Sequence, residues 1–126
     1  MRVKVTISRA GINAACRQPG VYEDLERRML RVKSAAIATV NNRTFEYARG
    51  LKIERFRAPR GVAGVRLTAT AAHSATLERG SRPHDIVAKD GKALFWEGAE
   101  HPVRKVHHPG TQAQHVLRNA LQAAKL

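Results

Sequence analysis

Residues 21–40 read VYEDLERRMLRVKSAAIATV, and the fold turns on whether this run is a helix. Leu25, Met29, Val32, Ala36 and Val40 recur at intervals of three and four. On a helix they form one apolar stripe, with Glu23, Asp24, Arg27, Arg28 and Arg31 mostly off it. Glu23 and Asp24 precede Arg27 and Arg28 by four residues, the favourable order for helix ion pairs. Read as opening the helix, the two acids would also sit in the first turn, where the helix dipole favours them. The pattern predicts one long amphipathic helix over 21–40, stopped by Asn41-Asn42.

Outward from that helix, the chain changes period. On the N-terminal side, Ser8 is placed to cap a brief helix over 9–17 that Pro19-Gly20 ends. Before it, MRVKVTI alternates basic and apolar residues, as a short strand or one-sided arm does. On the C-terminal side, Leu51 and Ile53 alternate with Lys52 and Glu54, and Val65, Leu67 and Ala69 with Arg66, Thr68 and Thr70. APRGVAG lies between, so 51–69 is expected to form a projecting β-hairpin. Its tip carries Arg55, Arg57 and Arg60, candidates for contact with protein or DNA.

AAHSATLERG, residues 71–80, suits a short helix closed by Gly80. Asp90-Gly91 is the favoured pair for a two-residue turn and predicts that 84–89 and 92–97 pair as a tight hairpin. PVRKVH, residues 102–107, reads as a further strand. Thr111-Gln112-Ala113-Gln114 matches a capping box, with Thr111 as cap and Gln114 returning to it, opening a helix over 111–125 after the Pro109-Gly110 turn. The order of elements predicts an α+β fold, with a small, mostly antiparallel sheet packed on the long helix and the C-terminal helix.

At 126 residues the chain is the size of a single domain, 1–126. Its composition is 43% hydrophobic but only 5% aromatic, so the core must be built from Leu, Val, Ile and Ala. A core of small side chains buries little area, and oligomerisation is the expected remedy. The net charge of +13 is spread along the chain rather than gathered in one tail, and it favours polyanionic partners. Cys16 is the only cysteine, which fits a chain folded in a reducing compartment, without a disulfide or a cysteine zinc cluster. No run has the length of a membrane span and the N-terminus lacks a signal-peptide core, so a soluble protein made inside a cell is expected.

Catalytic patterns are missing. The histidines of HHPGTQAQH, residues 107–115, lack the spacing of three or four with a neighbouring Glu that a helical zinc site uses. A metal set assembled from His84, Asp85 and His107 would need convergence across the fold. HDIVAKDG is faintly similar to the hairpin of HNH-type nucleases, but the Asn and second His of that finger are absent at matching spacing. No phosphate loop, nucleophile elbow or dinucleotide fingerprint occurs. A non-enzymatic role without cofactors is expected.

One ordered block is more specific. ERGSRPHDIVAKDGKALFW followed by HPVRKVHHPGTQAQHVLRNAL resembles the small head–tail connector proteins of tailed bacteriophages, also termed neck, tail-completion or minor tail proteins. The elements carrying the likeness are Glu78, Gly80, Ser81, Arg82, Pro83 and His84, then Lys92, Ala93, Leu94 and Phe95, then His108, Pro109, Gly110 and Thr111. They span roughly the C-terminal two-fifths of the chain; the N-terminal half is similar only in outline. The resemblance implies a structural virion protein, located in the neck and assembled in the host bacterial cytoplasm. It further implies a homo-oligomeric ring, expected to be a hexamer, that contacts neighbouring connector proteins, the tail terminator or the tail tube. DNA would pass through its channel, and Arg82 joins the hairpin arginines as a contact candidate. The competing expectation is a stand-alone basic nucleic-acid-binding protein.

Overall fold

The computed structural model describes residues 1–40 and 45–125 and is α+β, with two separate two-stranded antiparallel ladders. The chain groups into two compact units, Met1–Ser74 with Val116–Leu126, and Ala75–His115.

In the first unit, α1 (Arg9–Ala15) is capped by Ser8, whose Oγ accepts from the Gly11 amide at 3.0 Å. The long helix α2 (Pro19–Thr39) starts two residues before the predicted Val21 because Pro19 sits at its first position, where a missing N–H costs nothing. The early start moves Glu23 and Asp24 out of the first turn, so the expected dipole contact is not made. Asp24 does pair with Arg28, at 2.7 Å. The predicted stripe is the buried one: Val32, Ala36 and Val40 lie in the core. The Asn41-Asn42 stop lies outside the described residues; helical hydrogen bonding closes with the Val40 amide on the Ala36 carbonyl.

A single turn, α3 (Glu46–Arg49), precedes the hairpin of β1 (Leu51–Arg57) and β2 (Ala63–Ala69), in register from Leu51↔Ala69 to Arg57↔Ala63. Alternation puts Leu51, Ile53, Ala63, Val65 and Leu67 on one face, and this face carries the buried Leu51 and Ala63. Both strands contact α2, which also packs on α5 (Val116–Ala123) through a face that includes the buried Val116 and Ala120. Residues 1–7 form no regular element, and every residue there is exposed.

The hairpin departs from the expected free arm. The Ala63 amide donates to the Cys16 carbonyl at 3.2 Å, Arg17 Nη2 to the Arg60 carbonyl at 2.7 Å, and the Tyr22 hydroxyl to the Phe56 carbonyl at 3.2 Å. Three bonds to α2 and the α1–α2 joint hold the far end of the hairpin in place.

In the second unit, α4 (Ser74–Arg79), which begins at the last residue of the first, ends at Gly80, whose φ is +75° and whose amide donates to the Thr76 carbonyl at 2.7 Å. β3 (His84–Val87) then pairs with β4 (Lys105–His108), from His84↔His108 to Val87↔Lys105. This corrects the expected 84–89/92–97 hairpin. The Asp90-Gly91 turn is present, with positive φ at both residues and the Lys92 amide on the Lys89 carbonyl at 3.1 Å. Its two arms do not pair with each other; both take the same distant strand. Ala88 donates to Arg104 at 2.8 Å, and Leu94 exchanges both backbone bonds with Val103. Residues 103–108 thus satisfy backbone groups on both sides of the turn, and the turn itself is pinched outward.

Candidate functional site

Two of the three motifs that carry the resemblance meet in space. Ser81 and Thr111 exchange backbone hydrogen bonds at 2.9 and 3.1 Å, and the Ser81 Oγ accepts a further bond from the Thr111 amide at 3.0 Å. Gly80-Ser81-Arg82-Pro83-His84 and His108-Pro109-Gly110-Thr111 therefore form one clasp. Its closeness depends on two glycines. A Cβ on Gly80 (φ +75°) would lie 2.5 Å from the Thr111 carbonyl oxygen. One on Gly110 (φ +92°) would lie 2.5 Å from the Ser81 carbonyl oxygen and 3.0 Å from the Pro83 nitrogen.

The clasp also corrects the start of the last helix. A capping box needs the Thr111 and Gln114 backbone donors for the helix itself. Here the Thr111 amide is held by Ser81, and the Gln114 amide donates to the Leu77 carbonyl at 2.8 Å. With His115 at a φ of +50°, the helix begins at Val116 instead of Thr111.

Two histidines stack inside the clasp, His84 on His108, with ring centroids 5.0 Å apart. His84 Nδ1 faces the Arg82 carbonyl at 2.9 Å, so that nitrogen must donate. His108 Nδ1 accepts from the Gly110 amide at 3.0 Å. These bonds fix the orientation of each ring. Strand alternation places Asp85 and His107 on the opposite face of the ladder, so His84, Asp85 and His107 do not converge as a metal set. Among the described residues no cluster of His, Cys, Asp and Glu could hold a metal ion.

On that opposite face Asp85 joins two side chains, His107 Nδ1 at 2.9 Å and Lys105 Nζ at 2.9 Å. The hydrogen bond from His107, then that from Lys105, holds the Asp85 carboxyl below its usual 3.8. A depressed acid stabilises the fold above its unfolded pKa, and that contribution is lost as pH falls through the folded value. The β3–β4 ladder should therefore hold its amide protection from neutral pH down to about 4 and lose part of it below. In Asp85→Asn this acid-dependent loss should vanish; an identical acid profile in the variant would show that Asp85 contributes nothing.

Beside the clasp, Ile86, Trp96, Val106, His107 and His108 line an open apolar groove of about 340 Å³. Val87, Phe95 and Trp96 are exposed at 58, 66 and 48%. No residue from Ala75 to His115 reaches the buried class. Contiguous exposed apolar surface of this kind marks an interaction site. The motif residues pointed to this region, but the groove was missed; Ile86 and Val106 on one face of a ladder, beside the Phe95-Trp96 pair, were the available signal.

The predicted arginines separate into different roles. Arg55 is not available for a partner: its Nε and Nη2 grip the Glu26 carboxylate at 2.6 and 2.7 Å, and its guanidinium lies 5.2 Å from the Tyr22 ring centre. The Arg55 hydrogen bond lowers the Glu26 pKa and, reciprocally, raises that of Arg55. Arg57 and Arg60 are exposed at the hairpin tip, and Arg82 is exposed at the clasp. Arg17, which sequence reading passed over, joins Arg60 at the tip.

No family model, curated protein or solved structure matches the chain. Among the described residues no helix is long and apolar enough to cross a membrane.

Proposed function

We propose that this chain is a non-enzymatic structural protein of a long-tailed phage virion. It assembles as a hexameric ring in the neck, where it joins or completes the tail around the DNA channel. The observation that carries this reading is the clasp. Two short motifs chosen for their likeness to connector proteins lie far apart in sequence, yet each supplies the glycine that lets the other approach. They act as one structural device, which supports reading them together as one signature.

Two features support assembly over a solitary role. The second unit displays Ile86, Phe95 and Trp96, exposed at 36, 66 and 48%. In a ring, a neighbouring subunit or connector protein would bury such a face and supply the stability that an aromatic-poor core lacks.

Native mass measurement with electron microscopy, on the protein alone and mixed with phage tail tubes, tests the proposal. The expected result is one discrete ring species that caps the tube end. A strict monomer at micromolar concentration that ignores tails would overturn it, and tight duplex binding by that monomer would favour the stand-alone nucleic-acid-binding reading.

A further inference from the structure

The positive charge is unevenly divided. Met1–Ser74 with Val116–Leu126 holds 17 of the 23 Lys and Arg residues against 5 of the 10 acids, an excess of 12. Ala75–His115 holds 6 against 5, an excess of 1. The scatter along the sequence thus becomes a concentration in the first unit.

Within that unit the fold builds a cationic tip. Arg57 shares a strand face with Arg55 and lies opposite Ala63, whose amide bonds to the Cys16 carbonyl next to Arg17. Arg17 reaches across to the Arg60 carbonyl, and its guanidinium passes 3.4 Å from where a Cβ on Gly61 would stand. Arg60 is held at a φ of +68°, in the left-handed region. Three arginines are thereby brought to one small area. None of the three takes part in the ion pairs Arg28–Asp24, Arg55–Glu26 and Lys105–Asp85 or in the His73–Glu46 and His107–Asp85 contacts. Of the nearby acids, Glu26 is held by Arg55 and Asp24 by Arg28, while Glu23 acts electrostatically on Arg55. Holding like charges together without a counter-ion is unfavourable unless a polyanion supplies one.

We propose that Arg17, Arg57 and Arg60 form a phosphate-binding site for the backbone of duplex DNA. Duplex is favoured over single strand because single-strand sites rely on open aromatic rings that stack bases. The rings beside this tip are engaged by other arginines: Arg55 lies over Tyr22, and Arg66 lies over Phe56 with its guanidinium 4.8 Å from the ring centre. What the tip offers is guanidinium donors, which position a phosphate backbone and carry no sequence preference. The inference rests on the ring reading only for the source of the duplex, the DNA of the channel.

Fluorescence anisotropy with a mixed-sequence 30-base-pair duplex, titrated across salt, tests it. Each phosphate contact contributes a slope of roughly 0.9 in log affinity against log salt. The triple variant Arg17→Gln, Arg57→Gln, Arg60→Gln should flatten the slope by between about 2 and 3. Lys89→Gln, Lys92→Gln, Arg104→Gln removes equal charge from the other unit and should leave the slope unchanged. The double variant Arg57→Gln, Arg60→Gln keeps the Arg17 bond to the tip and should flatten it by about 2, which separates charge loss from misfolding. Equal losses in the two triple variants, tighter binding of a single strand, or equally effective competition by polyglutamate would each overturn the site. Native mass on the same samples separates the proposals: rings without salt-dependent duplex binding refute the phosphate site and leave assembly standing.

Discussion

Replacing Gly110 by alanine should open the clasp and unravel the second unit. At φ +92° an L-residue is strained whatever surrounds it, at a cost of about 1–3 kcal/mol. The new Cβ would also stand 2.5 Å from the Ser81 carbonyl oxygen and 3.0 Å from the Arg82 carbonyl carbon. Those are backbone atoms and cannot rotate away, so the Ser81–Thr111 bonds must break or lengthen. Gly98 is a matched control: its φ is +91° and nothing lies within 4 Å of its Cβ position. Gly98→Ala therefore carries the dihedral cost alone, and the difference between the two variants measures the clasp. Trp96 is the only tryptophan and lies in the affected unit, so its emission reports the opening. Hydrogen exchange at the Ser81 and Thr111 amides should accelerate in Gly110→Ala and change little in Gly98→Ala. Equal effects in the two variants would mean that the glycine is required for its dihedral only, and the clasp would lose its standing as the device that joins the motifs.

What could be read from the sequence follows the range of each interaction. The α2 stripe, the Ser8 cap, the β1–β2 hairpin and the Gly80 helix stop are fixed by short-range patterns, and each is found where periodicity or turn chemistry puts it. The errors arise where a distant partner competes. Asp90-Gly91 turns as expected, but Val103 and Arg104 capture the backbone groups that its two arms would have shared. Thr111 has the right side chain for a cap, but Ser81 occupies its amide. Arg55 resembles its neighbours at the tip in every local respect, and only α2, by bringing Glu26 alongside, removes it from the candidates. Arg17 enters for the reciprocal reason: its reach to the Arg60 carbonyl depends on how α1 meets the hairpin, which no local pattern encodes. The clasp falls between these cases, since both motifs are visible in sequence and only their contact is not.

The shortage of aromatic residues, visible from composition, implies a second large effect in the first unit. Ala36 on α2 and Ala120 on α5 are both fully buried, at 0% exposure, on helices that pack against each other. Val32 and Ala36 on α2 and Val40 at its C-cap recur every four residues, as Val116 and Ala120 do on α5. Ridges of that spacing interdigitate at a separation set by the size of the side chains at the contact. Alanine on both buried ridges is the residue that permits close approach, and packing density would then substitute for the large side chains that the chain lacks. Ala36→Leu and Ala120→Leu should each lower stability by about 1–3 kcal/mol through overpacking, although each adds apolar surface. Against the 5–15 kcal/mol typical of a small domain, either would be a large fraction. If the interface were loose, added leucine would instead fill space and raise the denaturation midpoint. Chemical denaturation of the two variants decides between these, and a higher midpoint in either would show that the helices are not in close contact there. The same measurement bears on assembly: a core this sensitive to one side chain has little reserve, and ring formation should raise the midpoint with protein concentration.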